Sequence, residues 1–280
     1  MNKKKWIITG VIFLGVGVLI CTIMLVTLGF DFKKLSKVTY VTNTYDVKEN
    51  FKNITIKGDT EKISFVLSED DECKVVCRED ENNLHEVKVD GDTLIVKSKN
   101  KKHWYFNIGI AMESPEITIY LPKEEYKLLK IESDNGDVNI PKDFKFSDIS
   151  IKLDTGDVIS DASVEGEINI MTDTGSISVT DTSAERLKLD TDTGRISMIN
   201  VIASGEFNLS SDTGNIKFDS CDADTIYVKT DTGNVSGSLL SDKIFTADSD
   251  TGSVDVPKTN DGGKCEIKTD TGNIKIQIED

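Results

Sequence analysis

The sequence has almost no histidine and little cysteine, and this removes the commonest metal chemistry first. Only His85 and His103 occur in 280 residues, with five cysteines. Cys73, Cys77, Cys221 and Cys265 show no zinc-like spacing, and Cys21 lies in an apolar N-terminal run. Cys73 and Cys77 flank Lys-Val-Val in a strand-like stretch. Four residues of strand span roughly 13 Å, too far for a direct bridge. The thiols read as small packing side chains, with a structural disulfide between distant cysteines as the alternative. No cofactor is expected.

Positive charge is the second shortage. The first thirty residues hold only Lys3, Lys4 and Lys5 as charges, which leaves −19 on the rest of a chain of formal net charge −16. Such a surface argues against nucleic acid, whose phosphates need Lys and Arg. It also argues against a module lying flat on anionic lipid. Acidity suits a soluble domain outside a cell, or one that holds divalent cations weakly.

Charge is missing altogether from Trp6 to Phe30, a run of 25 residues preceded by Asn2-Lys3-Lys4-Lys5. About 20 apolar residues cross the hydrocarbon core as a helix, and the positive end stays in the cytoplasm. A cleaved signal peptide has a shorter apolar core and an Ala-x-Ala-like site. This run contains no alanine, and Ile20 rather than a small residue precedes Cys21. Residues 6–30 are therefore expected to be an uncleaved membrane anchor, with the C-terminal domain extracytoplasmic. Residues 31–44 read as a linker.

What the chain has in abundance is one tripeptide. Asp-Thr-Gly recurs as Asp154 to Gly156, Asp173 to Gly175, Asp192 to Gly194, Asp212 to Gly214, Asp231 to Gly233, Asp250 to Gly252 and Asp270 to Gly272. Asp134-Asn135-Gly136 is a degenerate first copy, and every step is 19 or 20 residues. Apolar residues sit five before each glycine (Ile131, Ile151, Ile170, Leu189, Leu209, Val228, Ala247, Ile267), seven before it and two after it. The intervening positions are mostly polar. This is the period-two pattern of a strand with one buried face. Each repeat is then strand, Asp-Thr-Gly turn, strand, second turn, and cannot bury its apolar face alone. The fold class is all-β: a β-solenoid of eight coils of about 20 residues over 129–280, behind one N-terminal transmembrane helix. At about 4.8 Å per coil, the rod is on the order of 40 Å long.

In the turn, glycine is expected to supply a positive φ, aspartate to accept hydrogen bonds from nearby amides, and threonine to form a hydroxyl row. Asp-Thr-Gly is also the aspartic protease signature, but that chemistry needs two carboxylates sharing one proton. Seven copies, mostly after Ser or Thr (Thr172, Thr191, Ser211, Thr230, Ser249, Thr269), fit a stacked turn instead. A carboxylate column is one way to recruit calcium, yet the glycine-rich nonapeptide of calcium-binding rolls is absent. No catalytic or metal residue is assigned, and the chain is expected not to be an enzyme.

Residues 45–128 keep strand signals without the repeat and are expected to cap the solenoid's entrance. The C-terminus has no evident cap. Ile274, Ile276 and Ile278 alternate almost to the end, so the last coil is expected to be open to self-association. Trp104, Tyr105 and Phe106 stand out in an aromatic-poor chain, either as an interaction loop or as an aromatic plug under the cap.

The run from Ile117 through Leu121-Pro122-Lys-Glu-Glu-Tyr126 into Asp134-Asn-Gly-Asp-Val, followed by repeated Asp-Thr-Gly-x-Ile, resembles the bacterial DUF4097 proteins, also labelled candidate adhesins. The resemblance covers roughly residues 45–280. It implies an extracytoplasmic β-solenoid with no catalytic residues to transfer. It also implies kinship with sensor-side proteins of envelope-stress systems in Gram-positive bacteria. Two functions follow as expectations: a surface module binding a protein or glycan at the cell envelope, or a stress accessory acting through a membrane partner.

Overall fold

The computed structural model describes residues 3–27, 29, 39–99 and 114–279. A helix, Lys3–Thr27, is followed by strands only. Its segment Thr9–Thr27 has a mean hydropathy of 2.6 and packs against nothing. It is long and apolar enough to cross a membrane, a test that signal sequences also pass.

The repeat folds into stacked coils, numbered here 1 to 8 in chain order by their turn glycines from Gly136 to Gly272. The expected apolar rows form. Ile131, Ile151, Ile170, Leu189, Leu209 and Val228 pair in register down one ladder. All six are 3% exposed or less. Val138, Val158, Ile177, Ile196, Ile216 and Val235 line the facing ladder and are equally buried. The core is solid and continuous from coil to coil.

Chain order and stacking order part company at the C-terminal end. The strand of coil 6 before Gly233 pairs with Gly263–Thr271 of coil 8, not with coil 7. Lys243–Thr251 of coil 7 then pairs with the outer side of coil 8. Val235–Leu239 and Val254–Asp255 flank Ile274–Ile278 in the same order. Coil 8 is thus inserted between coils 6 and 7, and coil 7 ends the stack. The expectation that the chain's last coil lies open is corrected here: coil 7 is the open one.

Two side-chain features explain the inversion. In coils 5, 6, 8 and 7 the residue after the turn glycine builds a ladder in which Asn234 N–H donates to Asn215 Oδ1, Asn273 N–H to Asn234 Oδ1 and Ser253 N–H to Asn273 Oδ1, each at 2.8 Å. The inverted order keeps the three asparagines contiguous and puts Ser253 last, where no further amide has to be accepted. Secondly, Lys243 of coil 7 is 3% exposed and reaches Asp222 at 2.5 Å. It spans the inserted layer at Gly263, which pairs with Lys243 and has no side chain in the way.

The N-terminal end is finished differently. Asn53–Lys57 and Lys62–Leu67 make a further coil-like layer against coil 1, with Ile54 on Leu129 and Ile63 on Val138. Thr93–Ser98 and Glu116–Leu121 make another beyond it. Antiparallel strands then close the end: His85–Asp90 on Thr93–Ser98, Cys73–Asp80 on Glu116–Leu121, and Tyr40–Val47 on Cys73–Asp80. The region before the repeat thus combines coil-like layers with an antiparallel closure. The four cysteines outside the helix are buried and unpaired.

Candidate functional site

The Asp-Thr-Gly turns form one straight column. Asp154, Asp173, Asp192, Asp212, Asp250 and Asp270 are exposed, and Asp231 is half-buried beside Lys229 at 2.9 Å. Contrary to expectation, these seven carboxylates accept no hydrogen bond from the turn amides. The residue one place earlier carries the turn. Thr172, Thr191, Ser211, Thr230 and Thr269 are 3% exposed or less, and each donates its hydroxyl to a turn-glycine carbonyl of the adjoining layer at 2.9 to 3.3 Å. Ser249 does the same to Gly272 at 2.8 Å. The hydroxyl row exists, but at the position before aspartate. The sequence held the signal, since that position is Ser or Thr in six of the seven repeats.

Glycine's role is also different in emphasis. Gly156, Gly175, Gly252 and Gly272 have φ from 150° to 158°, only at the margin of the glycine-favoring region. Close approach is the stronger demand. A Cβ on Gly194 would lie 1.8 Å from the Gly175 carbonyl oxygen, and one on Gly214 1.7 Å from that of Gly194. On Gly252 it would meet Gly272, again giving the inverted order.

The column brings no two catalytic groups together around a cleft. It presents one carboxylate per layer, facing solvent. Partial desolvation, then the carboxylates of Asp173, Asp212 and Asp190, push the Asp192 carboxyl above its ordinary value.

A second polar cluster, missed at sequence level, lies buried at the N-terminal end. His85 Nδ1 meets Glu79 Oε2 at 2.6 Å and His85 Nε2 faces Glu61 Oε1 at 3.3 Å. Glu79 Oε1 also accepts from Asn43 and Tyr45, at 2.7 and 2.8 Å. Glu61 Oε2 accepts the amides of Asp59 and Thr60. Burial alone would lower the His85 pKa and raise those of both glutamates. The hydrogen bonds and charges within the cluster outweigh it, so His85 is raised and both glutamates are lowered. Cys77 Sγ and ligand atoms of Glu79 and His85 lie within 4.8 Å of one another. The carboxylate and the imidazole are already engaged with each other, and burial pushes the thiol up to about 12. The cluster acts as an ionic clamp joining the closing strands to the first layers. Trp104, Tyr105 and Phe106 lie outside the described residues.

The profile of Toastrack DUF4097 matches residues 51–280. The chain belongs to this family. No curated protein matches it. Among solved structures, it is similar to a candidate adhesin from Bacteroides fragilis, with 18% identity over 88% of this chain and 99% of that one, and a TM-score of 0.53. A candidate adhesin from Parabacteroides distasonis gives 14% identity, 87% and 98% coverage and a TM-score of 0.42. The first likeness places this Toastrack chain in the same fold.

Proposed function

We propose that this Toastrack protein is a non-catalytic binding module of the cell surface, held to the membrane by residues 6–30. The observation that carries the reading is the solid interior of the stack. Side chains fill it from layer to layer, so recognition falls to the outer faces and the ends. Its outer chemistry includes a regular acidic row suited to contact. The description of the B. fragilis relative as a candidate adhesin supports the same reading. Fold alone does not fix function, so the site has to decide.

The partner is a protein or glycan of the envelope. A stack of about 50 Å, ten layers at about 4.8 Å each, has a short reach, and this favors a partner near the membrane. A stress accessory acting through an integral-membrane protein is the second reading on that ground. Photo-crosslinking in the native cell from Asn234 and Trp104, read by mass spectrometry, tests both. Capture of wall polymer, or of foreign cells or matrix once added, supports the adhesin-like module. Capture of one abundant integral-membrane protein supports the stress accessory. No capture under either condition removes the binding reading.

A further inference from the structure

The two ends of the stack are unlike. At the N-terminal end, antiparallel strands and the His85 clamp finish the sheet. At the other end, parallel coils simply stop. Among the described residues, Lys243–Thr251 has a strand partner only in Gly263–Thr271, and Val254–Asp255 only in Ile274–Ile278. Each leaves one side of its backbone without a strand, and such an edge is a template for another.

The side chains on this edge resemble an interrupted core. Phe245, Ala247 and Val254 continue the three inner rows, yet Val254 is 44% exposed where its counterparts in coils 1 to 6 are at most 1% exposed. Among the described residues, seven large apolar side chains outside the helix are notably exposed, and three of them, Leu240, Ile244 and Val254, lie on coil 7 or its approach. The charges point one way. Asp242, Asp248, Asp250, Asp255 and Asp261 are exposed on this coil against a single exposed lysine, Lys258. Lys243 is spent on Asp222.

We propose that coil 7 is a docking edge for an extended, cation-bearing polypeptide segment that adds to the stack as its next layer. Alternate apolar side chains of the segment cover Phe245, Ala247 and Val254. The cationic side chains between them fall opposite Asp248 and Asp250, since neighboring strands place matched positions about 5 Å apart. Charge decides against a second copy as occupant, because it would set one acidic edge against another. The chain enters the stack at the opposite end, through Tyr40–Val47, so a membrane-anchored molecule leaves this edge unobstructed by its own anchor. The inference rests on the surface-binding reading and names its site and partner class.

The test uses the full chain in nanodiscs at about 0.15 M salt, where exposed charges more than about 8 Å apart are largely screened. The probe is a fluorescent Lys-Val-Lys-Val-Lys-Val-Lys peptide, with its Glu-Val counterpart as control. A photo-crosslinker replaces Thr246, and in a second protein Lys188 on the side of the rod. Expected are binding of the lysine peptide, crosslinking from Thr246 but not from Lys188, and at least ten-fold weaker binding in Asp248→Asn/Asp250→Asn. Unchanged affinity in that variant, crosslinking from Lys188 alone, or a dimer crosslinked through Thr246 overturns the proposal. In the cell, capture from Asn234 with none from Thr246 removes the docking edge and leaves the surface-binding reading standing. Absence of capture from every position removes both.

Discussion

Gly194 and Thr230 show how much of the turn column depends on single atoms. A methyl at Gly194 would sit 1.8 Å from the Gly175 carbonyl oxygen, which is backbone and not a flexible side chain that could yield. Overpacking costs about 1–3 kcal/mol and sometimes more. Gly194→Ala is expected to lie at or above that range by denaturant unfolding, while Asp192→Ala, which removes an exposed carboxylate beside like charges, is expected to be neutral or slightly stabilizing. Thr230 is fully buried and donates to the Gly214 carbonyl at 3.1 Å. Thr230→Val keeps the shape and leaves that oxygen without its donor, at an expected cost of about 1–3 kcal/mol. The repeat's period and its buried rows were legible in the sequence, because Ile and Val at fixed offsets leave one solution. The division of labor within Thr-Asp-Thr-Gly was written there only as the Ser or Thr that precedes six of the seven aspartates. Aspartate and threonine are both good turn residues, and only the stacking distance reveals that the earlier hydroxyl faces inward while aspartate faces water.

At the scale of elements, the two ends carry the ionizable groups that matter. Lys243 holds coil 7 across the inserted coil 8. Lys243→Ala is expected to raise amide exchange in 243–255 and 263–278 while 129–200 keeps its protection, because opening spreads from a free end. Uniform exchange across all coils would contradict that assignment. At the other end the clamp makes stability depend on pH in a defined sense. The folded pKa of His85 lies above its ordinary 6.5, so its contribution is complete below that value and fades as pH rises through the folded pKa. Glu61 and Glu79 lie below their ordinary 4.5, so theirs is complete above 4.5 and fades as pH falls through the folded values. Stability of the Tyr40–Asp90 region is expected to peak between about 4.5 and 6.5, and His85→Gln should flatten the alkaline limb. Thermal unfolding across pH checks both. Sequence reading passed over this cluster because Glu61, Glu79 and His85 share no motif. They meet only when Cys73–Asp80 and His85–Asp90 fold back on the first layers.

For the whole molecule, the consequential fact is that the chain's last coil is not the stack's last layer. Periodicity could not reveal this, since repeats so alike make either order equally regular. The identity of the residue after the turn glycine was the available clue: Asn215, Asn234 and Asn273 form a ladder only if coil 7, with Ser253, is displaced outward. The displaced coil leaves the rod with one finished end and one open edge, and the proposed docking depends on it. Paired cysteines at the turn test the order most directly, because neighboring layers lie about 4.8 Å apart and the bridge tolerates Cα separations of about 4.4–6.8 Å. Asn234→Cys with Asn273→Cys is expected to form a disulfide on mild oxidation, as is Asn273→Cys with Ser253→Cys. Asn234→Cys with Ser253→Cys, two layers apart, should stay reduced. A bridge between positions 234 and 253 would put the coils in chain order and move the open edge from coil 7 to coil 8.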